Sequence, residues 1–123
     1  MVRIGLAGDT MLGRLVNTTI SERGYSYPWG NILPLLKDTD LNVINLETTI
    51  TTSTDIVLKT FNFKADPDKV QTLQVGNIHA VNIANNHILD FGQSGLIETI
   101  RTLDHAGIAH VGAGINIQEA KRP

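Results

Sequence analysis

The chain contains four short runs of apolar residues. Each run is short enough to predict a β-strand rather than a helix. The runs are Val2–Ala7, Leu41–Leu46, Ala80–Ala84 and Ala109–Val111. The first three are almost continuously apolar instead of alternating with polar residues, which is typical of strands in a parallel sheet covered on both faces. We therefore expect a sheet that is buried on both sides.

Helical spacing of apolar residues appears between these strands. Apolar residues recur at this spacing within residues 32–36, 70–73 and 96–103, and Gly107 supplies a stop after the last group. Asp66-Pro67 precedes the second group, with aspartate suited to an N-cap and proline to the first helical position. The resulting alternation of strands and helices predicts an α/β fold with a mainly parallel sheet.

The segment Thr48–Lys59 does not follow this alternation. It is rich in threonine and serine and has no helical period, so it predicts an exposed loop. Because the loop follows Glu47 directly, we expect it to lie over any site formed there.

Composition narrows the classes of function. The 123 residues fit one domain. The net charge of -2 shows no excess of basic residues that could bind phosphate groups, so no nucleic-acid partner is expected. The absence of cysteine excludes disulfides and thiolate metal sites within the chain. Neither a signal peptide nor an apolar run of about 20 residues is present, so localisation is left open. Membrane association is expected only through a leader or anchor outside this sequence.

Polar residues follow the first three predicted strands. Asp9 follows the first strand, Glu47 the second, and Asn86-His87 the third, with Asp90 close behind. The carboxyl ends of parallel strands lie on one side of a sheet, where ligands bind, so these side chains should converge. Each alone fits a cap, a turn or a solvated side chain. Together they predict a site whose oxygen and nitrogen donors suit Mn, Fe, Zn or Mg.

The remaining histidines and the glycines carry weaker signals. His79 and His105 are interpreted as structural or exposed, and His110 lies too early in its strand to join the site. The run Gly5-x-x-Gly8-x-x-x-x-Gly13 matches neither the Rossmann nor the P-loop spacing. We interpret these glycines as tight turns, with nucleotide binding as a less favoured alternative.

Three blocks then resemble, in order, the signature blocks of the CapA family. They are Gly8–Arg14, Asn45–Glu47 and Ala84-Asn85-Asn86-His87-x-x-Asp90-x-Gly92. CapA proteins are bacterial capsule or poly-γ-glutamate synthesis proteins within the calcineurin-like metallophosphatase superfamily. The resemblance implies part of a metallophosphatase-like α/β/β/α domain.

The resemblance also implies a metal site. Asp9 would bind the first metal ion, Glu47 would occupy the place of the bridging carboxylate, and Asn86 would ligate through its side-chain oxygen. The implied cofactors are Mn, Fe or Zn ions. Met11 stands where the wider superfamily has a histidine, a departure that the CapA branch commonly shares.

The same resemblance implies catalytic and substrate-binding residues. His87 would be the general acid or transition-state stabiliser, and Asp90 would orient it. Arg14 and Asn85 would bind an anionic small-molecule or polymer substrate.

We expect residues 1–123 to be the N-terminal part of a longer domain. Asn116 and Glu119 resemble a capping box that begins a helix at Ile117, yet the chain stops at Pro123. The family supplies further histidine ligands in later blocks, so the site here should be incomplete. An unpaired sheet edge would also favour a homo-oligomer.

The implied function is capsule or poly-γ-glutamate biosynthesis, with metal-assisted hydrolysis of a phosphoester or related bond by the full-length protein. The alternative function is not enzymatic: the chain would belong to an accessory protein that binds an anionic polymer.

Overall fold

A computed structural model describes residues 1–123 without a gap. In chain order, the helices and strands are β1 (Ile4–Thr10), α1 (Arg14–Arg23), a 3₁₀ helix (Tyr27–Ile32), α2 (Leu33–Lys37), β2 (Leu41–Leu46), β3 (Thr49–Ile50), β4 (Lys64–Ala65), a 3₁₀ helix (Pro67–Lys69), α3 (Val70–Val75), β5 (Ala80–Asn82), α4 (Gly92–His105), β6 (Ala109–Val111) and α5 (Ile117–Ala120). Four strands form one sheet in the order β1-β2-β5-β6, and every pair is parallel. The predicted α/β class and the mainly parallel sheet are confirmed.

The predicted strands match the observed ones closely. The second and fourth agree at both ends, the first begins two residues later and runs on to Thr10, and the third ends at Asn82. The helices expected around residues 32–36, 70–73 and 96–103 all form, and Asn116 caps α5 by accepting a hydrogen bond from Glu119 N (2.9 Å).

Helix α1 was not predicted. Its sequence RLVNTTISER contains few apolar residues, and Ile20 is the one residue of the helix that is buried. The helix begins after Gly13, where an added Cβ would lie 2.6 Å from the main-chain oxygen of Lys64. A close approach of two backbones, rather than an apolar stripe, therefore places this helix.

The prediction of an exposed loop is wrong at its first part. Residues 48–51 are fully buried, because β3 pairs with β4 and the threonine hydroxyls find partners. Thr48 Oγ1 accepts a hydrogen bond from Leu12 N (2.9 Å), and Thr49 Oγ1 donates one to His87 O (2.7 Å). Hydrogen bonding offsets the cost of burying the hydroxyls. From Thr54 onward the loop is exposed, as expected.

The expectation of a sheet buried on both faces is also wrong. The core lies on one face, where Ile44 and Val81 pack with Leu73 and Leu103. Residues of β2 alternate between buried and partly exposed, and β1 is largely exposed because it is an edge strand with β2 as its only neighbour. Its almost continuous apolar run therefore does not reflect burial within this chain.

No helix of this chain combines the length and the apolar character that crossing a membrane requires.

Candidate functional site

The carboxyl ends of β1, β2 and β5 bring the predicted site residues to one side of the sheet. Asp9 is aligned with Asn45 across β1 and β2, and Asn45 is aligned with Asn82 across β2 and β5. Glu47 follows β2 directly, and His87 lies in the turns after β5. The strand ends lie side by side as expected, and Glu47, Asn86 and His87 share one cavity, whereas Asp9 is not among the residues that line it.

A line of side-chain hydrogen bonds crosses these strand ends. Asn45 Nδ2 donates to Asp9 Oδ1 (2.7 Å), and Asn45 Oδ1 accepts from Asn82 Nδ2 (2.7 Å) and Asn85 Nδ2 (3.1 Å). Asn85 Oδ1 in turn accepts from His87 N (3.0 Å). The Asp9 carboxylate on β1 is thus linked to the main-chain nitrogen of His87, after β5, through one chain of side-chain amides.

His87 and Asp90 form a buried pair beyond β5. The histidine is 5% exposed and the aspartate 1%. His87 Nδ1 lies 2.7 Å from Asp90 Oδ2, and the ring of Phe63 stacks on the imidazole with centroids 4.1 Å apart. On the other side of the ring, Nε2 lies 3.7 Å from Glu47 Oε1. The imidazole is therefore held at one nitrogen while its other nitrogen faces Glu47.

Two further groups bind the Asp90 carboxylate. Phe63 N donates to Oδ2 (2.6 Å), and Lys59 Nζ donates to Oδ1 (2.5 Å). Lys59 Nζ also donates to the main-chain oxygen of Asn86 (2.7 Å). The predicted placement of the Thr48–Lys59 loop over the site is therefore seen at its far end.

An open cavity of about 530 Å³ lies beside this pair. Its lining residues come from the end of β2, the loop before β4 and the turns after β5: Glu47, Lys59, Thr60, Phe61, Phe63, Asn86 and His87. Carboxylate, ammonium, amide and imidazole groups therefore share one opening with aromatic side chains.

The residues expected to bind metal supply oxygen donors for part of a site. Asn86 makes its hydrogen bond through the main-chain oxygen, which leaves its side-chain amide free, whereas Asp9 shares one oxygen with Asn45. Glu47 contacts His87 only at 3.7 Å. No group of three or more histidine, aspartate or glutamate residues in the chain is arranged to hold a metal ion. The donor set fits hard metal ions but does not complete their coordination.

Arg14 and Asn85, expected to bind substrate, have different surroundings. Arg14 has a left-handed backbone (φ 53°), and its guanidinium carbon lies 5.9 Å from the ring centre of Phe61 at the cavity. Asn85 directs both amide hydrogens into the protein, to Asn45 Oδ1 and to Leu46 O (3.0 Å). Both substrate-binding roles remain predictions.

The expectation that Gly5, Gly8 and Gly13 form tight turns is wrong for the first two. Gly5 and Gly8 lie inside β1 rather than in tight turns, and a Cβ on Gly5 would collide with the side-chain oxygen of Asn42. Gly13 approaches the backbone of Lys64. Since Gly5 and Gly13 make room for the protein's own atoms, the structure offers no support for the nucleotide-binding alternative.

The other three histidines lie outside the cavity. His79 Nδ1 accepts from Asn42 N (3.0 Å), which is a structural role within the sheet. His105 contacts its own helix, and His110 Nε2 lies 2.9 Å from Asp104 Oδ1.

Sequence reasoning missed Lys59, Phe63 and the bridging role of Asn45. Lys59 stands in an exposed, irregular loop, so no periodicity identifies it. The one available signal was that this loop begins at Glu47, beside the predicted site.

This chain forms an α/β domain with a parallel sheet. Carboxylate, amide and imidazole groups lie together beyond the carboxyl ends of its strands. The family model described as bacterial capsule synthesis protein PGA_cap matches residues 3–123, and the chain belongs to this family. The resemblance to CapA proteins is thereby confirmed.

Individual relatives agree with this assignment. The chain is 34% identical to a probable polyglutamine synthesis accessory protein of Mycobacterium tuberculosis, over 99% of the chain and 41% of the relative. It is 28% identical to the capsule biosynthesis protein CapA of Bacillus anthracis, over 94% of the chain and 29% of that protein. It is 26% identical to the PGA biosynthesis protein CapA of Bacillus subtilis, over 94% of the chain and 31% of that protein. The chain thus spans less than half the length of these relatives.

Proposed function

We propose that this chain is the N-terminal part of a capsule or poly-γ-glutamate synthesis protein that hydrolyses a phosphoester or related bond with the help of metal ions. The observation that carries the proposal is the buried His87–Asp90 pair, whose outer nitrogen, Nε2, faces Glu47 at the cavity. A histidine oriented by a buried carboxylate is suited to proton transfer at a leaving oxygen.

In this proposal Asp9, Glu47 and Asn86 hold Mn, Fe or Zn ions together with ligands from outside this chain. Such ions would supply Lewis-acid polarisation of the bond to be cleaved. The contribution of the chain's own residues is orientation: Asn45 directs the Asp9 carboxylate through a 2.7 Å hydrogen bond. Glu47 keeps its oxygens free of other hydrogen bonds.

His87 then acts at the leaving group. Asp90 and Phe63 hold the imidazole by a hydrogen bond and by stacking, so that Nε2 is presented to the cavity. Arg14, beside Phe61 at the rim, would contact an anionic group of the substrate. Asn85 would contribute indirectly, because its side-chain oxygen accepts the hydrogen bond from His87 N.

The test is a phosphatase assay on the whole protein, with generic phosphomonoester and phosphodiester substrates and added Mn, Fe or Zn. We expect metal-dependent turnover, and His87→Asn should lower kcat by about 100-fold or more, the usual contribution of a general acid. The exposed His105→Asn is the control and should leave kcat unchanged. Equal activity of the two variants would contradict the proposal.

A second candidate is a non-catalytic accessory protein that binds an anionic polymer. The name of the M. tuberculosis relative, a probable polyglutamine synthesis accessory protein, favours it. Binding of poly-γ-glutamate to the whole protein, with no hydrolysis under any metal condition, would support this candidate. Loss of that binding in Arg14→Ala would place the polymer at the cavity.

A further inference from the structure

A short segment that begins at the end of the Thr-rich loop is bound to Asp90, and we call this segment, residues 57–63, the strap. Val57 N donates to the main-chain oxygen of Asp90 (2.9 Å), and so does Asn62 Nδ2 (3.3 Å). Phe63 N donates to the Asp90 carboxylate (2.6 Å). Four of the strap's groups meet at this aspartate once Lys59 Nζ is included.

Lys59 is the cation that faces the Asp90 carboxylate. The Asp90 side chain is 0% exposed, and that of Lys59 is 29% exposed. A buried carboxylate is costly unless it is paired with a positive group and hydrogen-bonded. Lys64, the other lysine of this region, donates instead to Ser53 O (3.1 Å) and lies 4.9 Å from the Phe91 ring. The two lysines therefore stabilise the same region through different contacts.

The distances around His87 decide which ring nitrogen carries the proton in the neutral imidazole. Asp90 Oδ2 lies 2.7 Å from Nδ1, whereas Lys59 Nζ lies 3.4 Å from it. An ammonium only donates hydrogen bonds, and an ionised carboxylate only accepts them. The short contact to Asp90 thus requires a hydrogen on Nδ1, and the longer contact to Lys59 is not a hydrogen bond. In this neutral form the lone pair of Nε2 faces the cavity, so Nε2 must first take up a proton before His87 can donate one to a leaving oxygen.

We propose that Lys59 is a positioning residue for this pair. Its ammonium holds Asp90 Oδ1, so the carboxylate keeps the rotation that places Oδ2 at His87 Nδ1. Its second bond, to Asn86 O, fastens the residue next to His87 in the same arrangement. The effect on hydrolysis rests on the proposed function, whereas the effect on the imidazole does not.

The first test reads the imidazole directly. Long-range ¹H–¹⁵N spectra of the 123-residue chain, with His87 assigned by a His87→Gln variant, should show the Nδ1–H tautomer. We expect Lys59→Met to abolish that single tautomer, and Lys59→Arg, which keeps the charge, to retain it. Lys64→Met is the matched control and should retain it as well.

Two results would overturn the inference: a wild-type imidazole signature in Lys59→Met, or equal loss of it in Lys59→Arg. If the methionine variant does not fold, Lys59→Gln removes the charge while keeping a donor and should lose the same signature.

The second test is a double-mutant cycle in the whole protein. Lys59→Met should lower kcat by about 10- to 100-fold, because small displacements of a catalytic group cost that much. When Asp90→Asn is already present, Lys59→Met should lower kcat by less than about 3-fold, since Lys59 acts through the Asp90 carboxylate. Additive effects would refute the positioning role. A whole protein without any turnover would refute the proposed function while leaving the spectroscopic test of Lys59 intact.

Discussion

Asn45 shows how one side chain organises the strand ends. Its amide donates to Asp9 while its oxygen accepts from Asn82 and Asn85, so three neighbouring segments depend on it. Both halves of the amide are used, which means that neither an aliphatic nor a charged side chain of similar size satisfies all its partners.

We expect Asn45→Ala to destabilise the chain by about 1–3 kcal/mol, because partly buried donors and acceptors lose their partners. Asn45→Asp should also destabilise it, since a second carboxylate would then face Asp9. Adding Asp9→Asn restores a donor opposite the new acceptor and should recover most of that loss. Urea unfolding followed by circular dichroism measures all three. A stable Asn45→Asp single variant would contradict the role of the amide donor.

At the scale of residues, the sequence predicted which strand ends lie side by side better than it predicted the side-chain contacts there. Asp9, Glu47 and His87 were identifiable because parallel strands bring their carboxyl ends together whatever the detailed packing. Lys59 was not, since its contact with Asp90 joins an irregular loop to a turn 31 residues later. Contacts of this kind depend on how a loop folds back, and no local pattern records that path.

At the scale of elements, Glu98 on α4 holds the two threonines that directly follow β3. Its carboxylate accepts hydrogen bonds from the Thr51 hydroxyl and from Thr52 N (2.9 Å). Burial acts to raise the pKa of Glu98, but the hydrogen bonds from Thr51, Thr52 and Ser53 outweigh it and hold the pKa below its ordinary value of 4.5.

This shift makes part of the stability depend on pH. A carboxyl whose pKa is lower in the folded state stabilises the fold above the unfolded value of 4.5, and the effect is lost as pH falls through the folded value. We expect Glu98→Gln to lower the free energy of unfolding by about 1 kcal/mol at pH 7 and by less at acid pH. Urea midpoints across pH 3 to 7 measure this, with the exposed Glu22→Gln as control. A pH-independent difference would argue against the carboxylate hydrogen bonds.

The elements themselves were predictable where an apolar pattern existed. β2 and β6 coincide with two of the short, mainly apolar runs, and α4 has apolar residues at helical spacing, so their positions were clear. β3 was not, because buried threonines resemble a solvated loop until their hydrogen-bond partners are known. A pattern of apolar residues does not reveal buried polar residues whose hydrogen bonds are made within the protein.

At the scale of the whole molecule, β1 is an unpaired edge. Leu6 is 79% exposed and Ile4 58% exposed, beside a row of main-chain groups that have no partner strand on that side. Exposed apolar edges of this kind pair with other chains.

We therefore expect the 123-residue chain to self-associate as its concentration rises, and Leu6→Lys to shift it toward monomer. Leu15→Lys, which changes an equally exposed leucine (82%) on α1, should have no such effect. Light scattering after size exclusion gives the masses. A wild-type chain that remains monomeric at every concentration would contradict the prediction.

The order of the main sheet, β1-β2-β5-β6, is also the order of the strands along the chain. During synthesis, each new strand therefore adds to an edge that is already in place, and no gap must be held open for a later one. The strap likewise precedes Asp90, so the strap is made before the residue that anchors it. The His87–Asp90–Lys59 arrangement can therefore close once β5 and the turns after it are in place, before α4 and β6 have been added.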